Sequence, residues 1–275
     1  MNKKAVAILV LAITLFIVLV SFGVRNLVLK RSARRVDKMD LKNKESLLKL
    51  SKTYNAQKDY PKAREALKEF IKRFPDSENT AKAEKDIEGL NIKILFSDTL
   101  TKNSFSYKIK PGDALAKIAS RFNTTVELLK RSNNLKSDLI LPGKSLKVNK
   151  AKFTILVDKS KNTLTLRKSD GEVIKTYTVS TGENFSTPTG TFKIEEKLVS
   201  PLWYKIGAIV EPNSKEYELG SRWMGLSAEG YGIHGTKDSA SIGKHITKGC
   251  VRMKNQDVEE LYAIIPRGTE VTIVE

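Results

Sequence analysis

The sequence predicts a multidomain chain: an N-terminal transmembrane helix, an α-helical hairpin stalk, a small βααβ module and a mostly β carboxy-terminal domain. Three observations predict it. Ala5 to Val24 is an apolar stretch of 20 residues without a formal charge. Apolar side chains then recur at helical spacing through 45–91, and again inside a compact stretch at 105–148. From residue 152 the period falls to two, between glycine-rich loops.

At about 1.5 Å per residue, a helix over 5–24 reaches across the roughly 30 Å hydrocarbon core of a bilayer. The run is longer than the h-region of a cleaved signal peptide, and no small-residue cleavage site follows before Arg25, so an uncleaved anchor is expected. Lys3 and Lys4 precede the span, whereas Arg25, Lys30, Arg31, Arg34 and Arg35 follow it. On its own that bias would keep the bulk of the chain in the cytoplasm.

In the stalk, Leu47, Leu48, Leu50, Tyr54 and Ala56 make one apolar face. Pro61 fits the first turn of a second helix carrying Ala63, Ala66, Leu67, Phe70 and Ile71, and Phe74-Pro75-Asp76-Ser77 breaks the pattern before a third. This segment, 45–95, resembles a tetratricopeptide unit, with Lys58 where the repeat usually has glycine. A solenoid needs at least three such units, so a spacer or dimerising hairpin is expected.

In 105–149, Tyr107-Lys108-Ile109-Lys110 reads as a strand and Pro111-Gly112-Asp113 as a turn. Leu115, Ile118, Ala119 and Phe122 line one helix, and Thr125 opens another carrying Val126, Leu128 and Leu129. Leu141-Pro142-Gly143 precedes a Leu146–Val148 strand. With Gly112-Asp113, Ile118-Ala119, Asn133-Asn134 and Pro142-Gly143 in place, this order resembles the LysM module, which binds N-acetylglucosamine-containing glycans. The resemblance implies a glycan groove formed by Gly112, Asp113, Ala114 and Leu115 on one side and Ile140, Leu141 and Pro142 on the other. Residues 97–104 and 149–152 read as polar linkers.

The last segment, 152–275, alternates apolar and polar side chains over 153–157 and 163–167 about the turn Asp158-Lys159-Ser160-Lys161-Asn162. Ser169-Asp170-Gly171 turns into a strand near 172–179. Asn255 or Asp257 is suited to cap a helix through Glu259–Tyr262, and Val271–Val274 closes the chain as a strand.

The chain has one cysteine, Cys250, 16 positions after His234, the first of two histidines. A lone cysteine is either a small buried apolar side chain or a reactive thiol. As a nucleophile it needs a base to take its proton and positive surroundings for the thiolate. His234 offers the first, with His245 as the competing base, and Lys248 and Arg252 offer the second.

The run His234-Gly235 followed by Thr247-Lys248-Gly249-Cys250-Val251-Arg252 resembles the catalytic signature of the L,D-transpeptidases, cysteine enzymes that cross-link peptidoglycan stems. Ser186-Thr187-Pro188-Thr189-Gly190-Thr191-Phe192 and Leu219-Gly220-Ser221-Arg222-Trp223-Met224-Gly225-Leu226 resemble two other stretches of the same domain. The resemblance implies a thioester formed on Cys250 from a tetrapeptide stem, with release of D-alanine and transfer to an amine of another stem. Water as acceptor would make a carboxypeptidase, and loss of activity a wall-binding protein. Cys250, His234, Gly249 and Arg252 would form the catalytic group, with Gly249 and Cys250 N–H groups as oxyanion donors. Arg252 is suited equally to a substrate carboxylate or a structural ion pair. Gly235, Thr247, Lys248 and Trp223 would touch substrate. No metal or other cofactor is implied.

The net charge of +18 is uneven: +8 over 1–50, +2 over 51–104, +7 over 105–150 and +1 over 151–275. Basic excess beside the span and in the LysM-like module suits an anionic membrane surface or cell wall. No nucleic-acid motif or aromatic platform accompanies it, so nucleic acid is not an expected partner. A peptidoglycan substrate implies a bacterial cytoplasmic membrane anchor with the large domains outside, against the charge bias.

Overall fold

The computed structural model describes residues 43–205, 208–212 and 214–275. The expected span at Ala5–Val24 lies outside them. Among the described residues no helix is long and apolar enough to cross a membrane. The described residues divide into two compact units between Glu84 and Lys85.

In the first unit, α1 spans 43–56 and α2 Tyr60–Arg73. Asp59 caps α2 by accepting from the Lys62 N–H at 3.3 Å, and Pro61 sits in the first turn, where its missing N–H costs nothing. Ala63, Ala66, Leu67 and Phe70 are buried, as their spacing predicts. Lys58 takes a φ of 61°, the left-handed region that explains why glycine suits this turn. The α1 face is less regular than expected: Leu50 and Ala56 are exposed, and the buried position is Ser51.

The helix α3, Thr80–Phe96, carries the chain into the second unit. There β1 (Ser104–Lys108), α4 (Leu115–Arg121), α5 (Val126–Ser132) and β2 (Ser145–Asn149) form the βααβ module. Its first strand begins three residues earlier than the sequence predicts. Ile109, Leu115, Ile118, Ala119, Leu129, Leu146 and Val148 make its core. Thr125 caps α5 through Leu128 N–H at 2.8 Å, as expected.

The remaining elements are β3 (Phe153–Asp158), β4 (Thr163–Lys168), β5 (Val173–Thr178), β6 (Thr181–Gly182), β7 (Gly190–Val199), β8 (Trp203–Lys205), β9 (Ala208–Val210), β10 (Arg222–Leu226), β11 (Gly232–His234), β12 (His245–Thr247), β13 (Val251–Arg252), α6 (Asn255–Ile264) and β14 (Glu270–Val274). Eight strands form one sheet in the order β13-β11-β10-β7-β14-β3-β4-β5. The pairs β14–β3 and β11–β13 are parallel, and the other neighbours antiparallel. Ile155, Val157, Leu164 and Leu166 pack with Val258, Leu261 and Ile264 of α6 in the main core.

Asn255 and Asp257 do not cap α6. The cap position is Lys254, with no side-chain bond, because the Asn255 Oδ1 accepts from the Ser221 N–H at 2.9 Å and ties β10 to the helix instead.

Three contacts fasten the βααβ module to the sheet domain and to α3. Leu128 of α5 is 1% exposed and belongs to the sheet domain's core, together with Ile92 and Leu95 of α3. The Thr125 hydroxyl donates to the Ala263 carbonyl at the end of α6. Lys147 of β2 donates from its Nζ to the carbonyls of Ile94 at 2.7 Å and Ser97 at 2.6 Å, closing the C-terminus of α3, and burial lowers its pKa to about 8. The stretches read as linkers are tied down as well. Lys150 N–H donates to Asn103 at 2.9 Å, Ala151 N–H to the Asn149 side chain at 2.7 Å, and Ser169 N–H to Lys152 at 2.9 Å.

Helix α3 also covers the sheet's outer strand. Among the described residues β5 has no strand beyond it, and its outward groups are met by side chains: Asn91 donates to the carbonyls of Ile174 at 3.0 Å and Val173 at 3.5 Å, and Glu88 accepts from the Thr176 N–H at 3.0 Å.

Candidate active site

Cys250 stands immediately before β13, and His234 ends β11. These strands are parallel, with Ile233 opposite Val251 and His234 opposite Arg252. One residue back, that register sets Cys250 beside Gly232. Because strand side chains alternate between faces, Cys250, His234 and Arg252 project on the same face. A 16-residue sequence gap is thereby closed by one step of strand register.

His234 is 3% exposed. Its Nδ1 lies 2.7 Å from the Gly235 carbonyl, which can only accept, so Nδ1 carries the proton and Nε2 keeps its lone pair. Burial lowers the imidazole pKa to about 4, with the Arg252 charge acting the same way and the carbonyls of Gly235 and Glu218 opposing. At neutral pH the ring is an uncharged base. Trp223, directly opposite on β10, lies over it with ring centroids 6.1 Å apart and planes 26° apart. Gly232 leaves room for that indole: a Cβ there would come within 2.5 Å of it.

The Cys250 thiol is partly exposed and donates weakly to the Gly230 carbonyl at 3.7 Å. Burial pushes its pKa up; the Gly232 N–H and the Arg252 charge pull it down without reversing the shift. The resting pair is therefore thiol and neutral imidazole, not an ion pair.

Thr247 is 4% exposed, and its hydroxyl works inside the loop, donating to the Cys250 carbonyl at 2.6 Å and accepting from the Gly249 N–H at 3.2 Å. This changes two expectations. Thr247 is engaged with the loop backbone rather than open to a substrate, and the Gly249 N–H is already committed, which leaves Cys250 N–H as the oxyanion donor of the pair. Gly249 has a φ of 122°, and a Cβ there would sit 2.6 Å from the Tyr231 ring, so glycine is required on both counts.

Arg252 is 9% exposed and pairs with Glu218 at 3.0 Å, the structural use of the two weighed above. Gly235 packs against Asn255, whose Oδ1 would lie 2.3 Å from an added Cβ; Lys248 is exposed. His245, the competing base, is used elsewhere. Its Nδ1 is 2.8 Å from the Thr181 hydroxyl and its Nε2 3.2 Å from the Asn162 amide.

In the βααβ module, reciprocal bonds between Ile109 and the 143–144 turn, at 2.8 and 2.9 Å, hold the two groove loops together. Gly112, Ala114, Leu141 and Pro142 are exposed and Ile140 half-buried. Leu115 departs from the expectation: at 2% exposure it is a core residue, so its side chain does not face the groove. Asp113 is occupied by the turn, accepting from Lys110 N–H at 2.9 Å and the Tyr107 hydroxyl at 2.8 Å, and these bonds hold its carboxyl below the usual range.

Three family profiles match the chain: the L,D-transpeptidase catalytic domain (YkuD) over 152–273, the LysM domain over 107–149 and a tetratricopeptide repeat over 45–77. L,D-transpeptidase YkuD of Bacillus subtilis (strain 168) is 38% identical over 176 residues, covering 61% of this chain and 98% of the relative. Its namesake from Bacillus licheniformis is 35% identical over 175 residues, covering 61% and 97%. The cell wall-binding protein YocH of Bacillus subtilis is 44% identical over 70 residues, 26% of this chain and 24% of that one. Matched along almost the whole length of two such relatives, with a thiol and a neutral imidazole on one sheet face, this chain belongs to the L,D-transpeptidase family.

Proposed function

We propose that the protein cross-links peptidoglycan by acyl transfer through Cys250. The observation that carries the residue assignment is the common face of Cys250 and His234, with Nε2 unprotonated and Nδ1 fixed by Gly235. As the sulfur attacks the carbonyl between the third stem residue and D-alanine, Nε2 takes the thiol proton. The developing oxyanion is met by Cys250 N–H, and the proton passes from the imidazolium to the departing D-alanine amine. An acceptor amine then attacks the thioester, gives its proton to Nε2, and releases cross-linked stem and free thiol. Trp223 keeps the imidazole plane, Thr247 the loop geometry, and Arg252 with Glu218 the far side of the site. Lys248 and the exposed edge of the loop are left to meet the stem.

The LysM module supports peptidoglycan binding, and we assign glycan contact to Gly112, Ala114, Ile140, Leu141 and Pro142. Ala5–Val24 serves as a single-pass anchor, N-terminus inside and the enzyme outside, because its length suits a bilayer and the substrate lies beyond the membrane. A reporter fused after Glu275 that functions only outside the cytoplasm should be active; protection of the large domains in protease-treated spheroplasts would overturn this topology.

Muropeptide mass spectrometry after incubation of the purified protein with tetrapeptide stems tests the function. Dimers cross-linked through the third residue with release of D-alanine are expected, and none with Cys250→Ser. Tripeptides without dimers would move the acceptor from an amine to water.

A further inference from the structure

Lys159 lies in the β3–β4 turn, where a charged residue ordinarily faces water, yet it is 3% exposed. Its ammonium has three donors and three oxygens to meet them: the carbonyls of Phe185 at 3.3 Å and Thr187 at 3.0 Å, and the Glu275 carboxylate at 3.0 Å. The Phe185 ring lies over the same ammonium, 5.7 Å to its centroid.

The segment so held is strained. Asn184 and Phe185 have φ values of 50° and 56°, successive left-handed residues neither of which is glycine, and such backbone persists only where its surroundings fix it. It leads directly to the nucleophile. Thr187 Oγ1 accepts from the Gly182 N–H at 2.7 Å. A Cβ on Gly182 would meet Ser186 Oγ at 2.2 Å, Thr187 N at 2.7 Å and Gly249 Cα at 3.0 Å; one on Gly249 would meet the Ser186 carbonyl at 3.2 Å. The 185–187 backbone is thus the wall against which Gly249, the residue before the nucleophile, is seated.

We propose that Lys159 is a positioning residue for the nucleophile: its buried ammonium clamps the strained 184–187 segment, which in turn holds the Gly249–Cys250 peptide. This rests on the reading of Cys250 as the nucleophile. Lys159 touches neither thiol nor imidazole and acts only through that wall.

The test is Lys159→Met, measured two ways in the full-length protein below its unfolding temperature. Release of the clamp should lower kcat for acyl transfer by about tenfold or more, since an ångström of misplacement can cost about a hundredfold, and change KM little. It should also relax the burial of the thiol and so speed alkylation of Cys250 by iodoacetamide at pH 8 by about threefold. Catalysis slower with alkylation faster is a pattern that general loss of stability does not give, and Lys159→Arg, which keeps charge and donors, should restore most of both. If Lys159→Met does not fold, Thr187→Val, which removes the Gly182 bond, should move both readouts in the same directions. A folded variant with kcat and alkylation unchanged would overturn the proposal. Alkylation needs no stem peptide, so a wild-type protein inactive on stems would sink the functional reading while this measurement still judged the clamp.

Discussion

Truncating Leu128 to alanine should destabilise the catalytic domain even though Leu128 belongs to the LysM module. The side chain is 1% exposed and sits in the core that includes Ile92, Leu95, Tyr262 and Ile265. Removing a buried leucine costs about 2–5 kcal/mol, and α5 and α6, joined through Thr125 and Ala263, cannot close independently over the gap. Taking about 3 kcal/mol, with about 2–4 °C per kcal/mol for a unit of this size, the transition should fall by about 6–12 °C. Both tryptophans, Trp203 and Trp223, lie in the catalytic domain, so tryptophan fluorescence reports that domain alone. Its midpoint should fall together with that of far-UV circular dichroism, in one transition. A fluorescence midpoint unmoved by Leu128→Ala, with a separate early transition in circular dichroism, would show that the modules melt independently and refute the shared core.

Three further outcomes follow from the site. Alkylation of Cys250 should accelerate with pH to beyond pH 9, because burial raises the thiol pKa, and a plateau reached below pH 6 would instead mean a resting thiolate–imidazolium pair. His234 has its pKa depressed in the folded protein, so the unfolded chain binds the proton first as pH falls from 6.5 toward 4; wild-type stability should drop by about 2 kcal/mol between pH 7 and pH 5, and equal slopes for wild type and His234→Gln in urea titrations would contradict the buried neutral ring. Gly232→Ala should displace the Trp223 indole and cut kcat by about tenfold or more through the imidazole it covers, whereas Gly89→Ala, with open space at its Cβ in α3, should leave kcat unchanged; equal activity of the two variants would remove Trp223 from the account.

The sequence made the chemistry legible because His234-Gly235 and Thr247–Arg252 are local strings, and strand register alone brings them together. The helix start at Thr125 was equally readable, being decided within three residues. What the sequence hid was partnership over distance. Helical spacing shows that Leu128 has an apolar face but not that the face meets another domain. Nothing local marks Lys147 and Lys159 as buried, because they are held by backbone carbonyls such as those of Ser97 and Thr187, 50 and 28 positions away, groups every residue carries and none advertises. Asn255 was misassigned for the opposite reason: a nearby helix start explained it well enough to conceal its bond to Ser221.

The cover that Glu88 and Asn91 give to β5 bears on how this protein can be cut. A soluble fragment beginning at residue 105 looks natural from the family boundaries, but it would strip two carbonyls and one N–H of their partners and bare a strand flank of the kind that recruits foreign strands. Such a fragment should self-associate, while one beginning at Lys85 keeps its flank closed. The same helix therefore works as a selvedge, the finished border without which the sheet unravels into its neighbours, and exchange of the preceding segment for another would succeed only if the newcomer supplied a donor and an acceptor at those two places.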